Sequence, residues 1–253
     1  MVQKKKIPIF KYEMASLKEE TEIISEILYD AIINKSQFNV MLYKKYPTLI
    51  NCINTNMTLT EIENQVELSI FKKYKYYESE ISKSIEKFNE NWDSIKNDVL
   101  SQLEYDMDSN FTQNVITVKT GNAPLCPRQI ENETFYVPSY IFNFNLVALH
   151  ECCHFLFFSK CDLLYGKNPK QYDYPSYLWL LSELLIDPLL NRSYYISKIG
   201  ENIKSYDYFY NIIINGKSLV DCIREIVLEQ QNPNEYIPKC LKFLNKHINS
   251  IKY

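Results

Sequence analysis

The sequence predicts an α+β chain, mainly helical, with a small mixed sheet set beside one buried helix. Three observations point there. Apolar residues recur at helical spacing over most of the length, as in Ser16 to Ile33 (SLKEETEIISEILYDAII). Two short β-branched or aromatic runs, Val115 to Val118 and Thr134 to Val137, stand out against that background. Shortly after the second run comes FNFNLVALHECCHFLFFSK, Phe142 to Lys160, which is apolar nearly all round yet carries His150, Glu151 and His154 in an H-E-x-x-H pattern.

Taken in order, Met1 to about Asp108 reads as helical and strongly charged. After the Ser16 to Ile33 helix a shorter helix or loop runs through Lys44 to Asn56. Thr60-Glu61-Ile62-Glu63 fits a capping box. Helical periodicity with alternating charge then continues to about Met107, a length that suggests two helices with a break around Tyr74 to Ser79. The composition changes at Asn110, so the chain divides into a helical region, 1–109, and a second region, 110–253. The second region opens with the two strands, separated by the turn-like segments Gly121 to Pro124 and Cys126 to Arg128. After the H-E-x-x-H helix come Gly166 to Pro169 and a tyrosine-rich loop, Tyr172 to Pro175. A further helix spans about Ser176 to Leu190 (SYLWLLSELLIDPLL), where Pro188 removes one helical hydrogen bond and should bend the helix near Leu184 to Asp187. From Glu201 the chain reads as two or three helices punctuated by Gly216 and Pro233.

Composition narrows the function classes. With 253 residues and 46% hydrophobic content the chain can bury a sizeable core. A net charge of -3 without a concentrated basic face argues against nucleic acid as the main partner. Lys4, Lys5 and Lys6 read as a solvated end. No apolar run is long enough for a membrane helix, and the N-terminus lacks the apolar stretch of a signal peptide. The expectation is a cytoplasmic monomer. Seven cysteines, an odd and scattered set without a CxxC pair, suit neither a disulfide framework nor a cysteine zinc finger. Four scattered glycines exclude a glycine-rich phosphate loop.

The chemistry lies in the apolar helix. At about 100° per residue His150 and His154 share a face one turn apart, with Glu151 flanking them. Ala148, Leu149, Cys152, Phe155 and Leu156 cover the opposite side, and Leu146, Val147, Phe157 and Phe158 flank the histidines, so the polar trio should sit in a dry place. Polar groups buried there need hydrogen-bond partners or a metal. The alternative is a chance match whose histidines are satisfied by backbone carbonyls. A catalytic zinc with two histidine ligands takes a third protein ligand and keeps one position for water. The position six after His154 is Lys160, which excludes a third histidine on the long spacing. Glu183 on its own apolar helix is the leading candidate, with Asp162 and Asp187 behind it. Cys153, beside the histidine face, reads as a small core side chain rather than a ligand.

These residues resemble the gluzincin, or thermolysin-like, metallopeptidases, in which H-E-x-x-H on one helix is completed by a glutamate in an E-x-x-x-D pattern on a later helix. Here those are His150, Glu151 and His154, then Glu183 and Asp187. The order of strand, active-site helix and glutamate helix is similar to the core of the small minigluzincins. The resemblance covers about Val115 to Asn191 and implies a zincin-like fold. It further implies zinc held by His150, His154 and Glu183, Glu151 as general base for a zinc-activated water, and Asp187 as hydrogen-bond partner of a ligand histidine. The substrate would be a peptide or protein, held by an edge strand among Val115 to Thr120 and Thr134 to Val137. Gly121 to Arg128 would form one rim of the cleft and Tyr172 to Tyr174 the other. Tyr172, Tyr174, Arg192 and His247 are the candidate oxyanion donors. The alternative is a latent or non-catalytic zinc-binding protein that acts through a protein partner.

Overall fold

The computed structural model describes residues 7–34, 38–247 and 251, so the Lys4 to Lys6 run lies outside the described residues. The class is α+β: a four-stranded mixed sheet and a two-stranded ribbon amid helices.

The chain begins with strand β1 (Ile9–Met14), in a part that the sequence reading took as helical. Its alternation Phe10-Lys11-Tyr12-Glu13-Met14 has the two-residue period of a strand, and Phe10 turns inward against Trp92 with ring centroids 5.6 Å apart. Helices α1 (Leu17–Asn34), α2 (Phe38–Lys45) and α3 (Leu49–Cys52) follow. Next comes α4 (Leu59–Asp93), 35 residues without interruption, so the break expected around Tyr74 to Ser79 does not occur. That segment contains no Gly or Pro, and one buried stripe (Ile62, Val66, Ile70, Ile81, Phe88, Trp92) runs the length of the helix, so nothing stops it. The break lies instead at Ser94 and Ile95, before α5 (Lys96–Met107). The capping box is also displaced. Thr58 Oγ1 accepts from the Glu61 N–H at 3.3 Å and Glu61 accepts from the Thr58 N–H at 2.7 Å, whereas Thr60 and Glu63 fall inside the helix.

Strands β2 (Val115–Gly121), β3 (Arg128–Gln129) and β4 (Thr134–Pro138) complete the sheet in the order β1-β2-β4-β3. β1, β2 and β4 are parallel, with Phe10 opposite Ile116 and Val118 opposite Phe135. β3 runs antiparallel to β4 and places Arg128 opposite Phe135. Both strands expected at an edge are therefore interior. β1 covers one side of β2 and β3 covers one side of β4, which leaves Arg128 and Gln129 on the edge.

Helix α6 (Phe144–Tyr165) starts at Asn143, whose side chain accepts from the Leu146 N–H, and its first residue Phe144 stacks on Phe88 at 4.5 Å. Helix α7 (Tyr177–Leu190) starts at Ser176, whose hydroxyl accepts from the Trp179 N–H. It is buried from Leu180 to Leu190, and Pro188 lies within it. The rest is α8 (Ser193–Ile199), α9 (Asp207–Asn211), the ribbon β5 (Ile213–Ile214) and β6 (Lys217–Ser218), α10 (Leu219–Gln230) and α11 (Pro233–His247). Gly216 thus turns a hairpin rather than separating helices, with Asn215 and Gly216 both at positive φ, 51° and 82°.

One continuous apolar cluster holds Phe10, Phe88, Trp92 and Leu103 from the first region together with α6, α7, α10 and α11. A smaller cluster lies between α1, α2 and α4. No helix among the described residues is long and apolar enough to cross a membrane.

Candidate metal centre

α6 and α7 are both too apolar to face water, so they pack on each other in the core and bring their few polar side chains together. His150 and His154, one turn apart on α6, have ring centroids 4.7 Å apart and Nε2 atoms at 2.9 Å. Glu183 of α7 reaches both: Oε1 lies 3.5 Å from His154 Nε2, and Oε2 lies 3.7 Å from His150 Nε2. Around a tetrahedral zinc with bonds of about 2.1 Å, ligand atoms stand about 3.4 Å apart. The Glu183 spacings, to one oxygen each, are near that figure, the two Nε2 atoms are closer together, and one ligand atom from each residue lies within 4.8 Å of the others, so the three could hold a metal ion. His154 and Glu183 are sealed from solvent, while the His150 side chain keeps 22% exposure and marks the side from which the site is reached.

The charge states suit metal binding. Burial, reinforced by the Arg128 guanidinium, pushes His154 well below the usual imidazole range, which leaves it neutral with a lone pair to give. Burial opposes ionisation of Glu183, but the Arg128 guanidinium and the His150 imidazole outweigh it and hold the carboxyl well below the usual range. Glu151 is different. Burial raises its pKa, with Arg128 and His150 acting against the rise, and its Oε2 has no hydrogen-bond partner. A raised carboxyl with an oxygen that accepts no hydrogen bond is equipped to take up a proton.

Arg128 enters this centre from β3 and was expected only as the end of a cleft rim. Its Nη2 donates to Glu183 Oε1 at 2.8 Å and its Nη1 is 3.8 Å from Glu151 Oε2. Tyr206, just before α9, was not singled out from the sequence either. Burial and the nearby Glu183 raise its phenol pKa, so it stays protonated. Its ring stacks on Trp179 at 6.3 Å, and Trp179 in turn meets Tyr174 at 5.2 Å. The chain has three arginines among 28 basic residues, and each reaches a carboxylate: Arg128 to Glu183, Arg192 to Asp106 and Arg224 to Asp187.

Other expected participants lie elsewhere. Asp187 was expected to hydrogen-bond a ligand histidine. Its carboxylate instead accepts from Arg224 Nη2 at 2.6 Å, Tyr210 Oη at 2.7 Å and Asn191 Nδ2 at 3.2 Å, and His154 Nδ1 has no partner. The arginine from α10 and the tyrosine from α9, invisible as neighbours in sequence, claim its oxygens first. Asp162 accepts from Tyr172 Oη at 2.7 Å, which takes up both a candidate ligand and a candidate oxyanion donor. Arg192 Nη1 pairs with Asp106 at 3.0 Å, and His247 packs on Phe243 at 4.7 Å. Burial pushes the Cys153 thiol up to about 12, so it remains a neutral core group.

No protein-family model matches this chain, and no curated protein or solved structure does either.

Proposed function

We propose that this chain is a zinc-dependent peptidase of the gluzincin kind, hydrolysing peptide bonds in a peptide or protein substrate. The observation that carries the reading is the convergence of His150, His154 and Glu183 from two buried helices, with one ligand atom from each within 4.8 Å of the others. A zinc ion held there would supply an acidified water and a Lewis acid for the scissile carbonyl. The chain's own groups account for the rest. Glu151, buried and with an oxygen that accepts no hydrogen bond, accepts the proton from the attacking water and passes it to the leaving amine. Tyr206, protonated and coupled electrostatically to Glu183 and Glu151, donates to the developing oxyanion, the role for which no residue was fixed from the sequence. Exposure on the His150 side lets an extended chain approach along the edge formed by β3. All seven cysteines are free thiols, which agrees with action in the cytoplasm, and the reading takes the monomer as the working unit.

Glu151→Gln tests the reading because it preserves shape and removes the proton acceptor. The variant should keep its zinc content and lose activity on a casein-type substrate by about 100-fold or more. Equal activity in the variant would move the base elsewhere. Full zinc content with no hydrolysis by the unmodified chain would favour a latent protein acting through a partner.

A further inference from the structure

We propose that the groove between the end of α6, the start of α7 and the face of α11 docks an acidic peptide segment with apolar side chains, supplied by a protein partner. The groove lies apart from the metal centre: Tyr165, which lines it, stands about 16 Å beyond His154 along α6. The proposal therefore does not depend on the peptidase reading. Three observations lead to it.

The first is shape. The groove holds about 570 Å³, inside the range of about 300 to 1,000 Å³ in which ligand sites fall. Tyr165, Tyr177, Leu178 and Leu241 give it mainly apolar walls. Tyr165 is 50% exposed and Tyr177 40%, so two large rings stand in water where a partner's apolar side chains would cover them.

The second is charge. Lys242 lines the groove, and Lys239 and Lys246 stand on the same face of α11, about one turn to either side. The stripe covers about 10 Å of helix. Among the described residues none of the three forms an ion pair, whereas Lys160, Lys167, Lys198 and Lys217 each reach a carboxylate. Of the three only Lys246 stands in the last turn, where a cation complements the helix dipole. In a chain of net charge -3 the stripe is a local surplus of positive charge, and its length suits several negative groups spread along the groove rather than one anionic head.

The third is hydrogen-bonding capacity. Gln171 and Asn245 also line the groove, and their side-chain amides make no hydrogen bond to a described residue. A carboxamide offers donors and an acceptor together, which a peptide backbone can match and an acyl chain cannot. A bilayer surface does not enter a concave site, and the net charge of -3 opposes a nucleic acid. Apolar walls, a basic rim and free amides meet in one occupant, a peptide that alternates acidic and apolar side chains.

Fluorescence anisotropy on the full chain carrying Glu151→Gln, so that no bound peptide is cut, tests the proposal. Three labelled peptides of equal length serve as probes: one alternating Glu and Leu, one alternating Gln and Leu, and one alternating Glu and Ser. We expect the Glu/Leu peptide to bind at least about 10-fold more tightly than either of the others. Its advantage over the Gln/Leu peptide should shrink when ionic strength rises from about 0.05 to about 0.5 M. Lys239→Gln combined with Lys242→Gln, both at exposed positions, should erase that advantage while the thermal unfolding midpoint stays where it was. Tyr177→Ser should reduce the advantage over the Glu/Ser peptide. Equal binding of the three peptides would overturn the proposal, as would an advantage that survives the double lysine variant. Tighter binding of laurate, of phosphatidylserine vesicles or of a DNA oligonucleotide to the same lysines would also overturn it. So would self-association in ultracentrifugation that the lysine variant abolishes, because a second copy of the chain would then fill the groove. The comparison of the three peptides does not depend on the groove variants folding.

Discussion

Gly121 ends β2 where there is no room for a side chain. A Cβ there would stand 2.2 Å from Glu20 Oε1 and 2.4 Å from the Tyr136 hydroxyl. Glu20 is 1% exposed, accepts hydrogen bonds from the Asn122 N–H and from Tyr136 at 3.3 Å, and so ties α1 to the end of the sheet. Burial raises its pKa, and the hydrogen bonds from Asn122 and Tyr136 offset this only in part. The sign for stability follows. A carboxyl whose folded pKa lies above its unfolded value of about 4.3 keeps more protons folded than unfolded, so its contribution is full below that value and fades as pH rises through the folded pKa. Glu20→Gln has no such titration. Urea unfolding at a series of pH values from about 4 to 7 should show the variant gaining on the parent chain as pH rises. Parallel curves would contradict a raised Glu20. At this scale the sequence made His150, Glu151, His154 and Glu183 legible, because a polar residue on an apolar helix is conspicuous. Arg128, Tyr206 and the true partners of Asp187 were not legible, since their roles depend on contacts across 23 to 55 residues of chain.

Among the elements, α7 matches the sequence pattern within a residue, and α6 begins two residues into the Phe142 to Lys160 stretch and continues five residues past it. Each has a long apolar run and a polar cap just before it, Asn143 or Ser176, so local signals and burial agree. The capping box of α4 shows how such a signal slips. Thr58-x-x-Glu61 and Thr60-x-x-Glu63 satisfy the same pattern, and only the first has the extended N-cap conformation, with Thr58 at φ -73° and ψ 162°. Thr58→Ala should cost about 0.5–2 kcal/mol in thermal or urea unfolding, and Thr60→Ala much less. The reverse order would restore the later box. β1 escaped because its six residues carry one clear inward contact, and a strand so short gains its stability from the partner strand rather than from its own pattern.

For the whole molecule, the chain closes on itself in a way that no local pattern announces. The sheet begins with residues 9–14 and resumes beyond residue 114, so β1 must wait for α1 to α5 before it finds β2. The helical first region and the second region thereby share one sheet and one apolar cluster, and Phe88 and Trp92 of α4 pack on Phe144 at the start of α6. That packing fixes α6 against the sheet and α7 against α6, and the centre lies where β3, α6 and α7 meet. The class and the site helices were visible in hydrophobic periodicity. The sheet order was not, because parallel pairing across a hundred residues leaves no short-range trace. The central claim is that His150, His154 and Glu183 together bind one zinc ion. Elemental analysis of the purified chain after zinc loading and removal of free metal measures it directly, alongside His154→Ala prepared in the same way. The account predicts one zinc per parent chain and a substoichiometric amount in the variant, and a parent chain without zinc, or a variant that keeps a full equivalent, would contradict it.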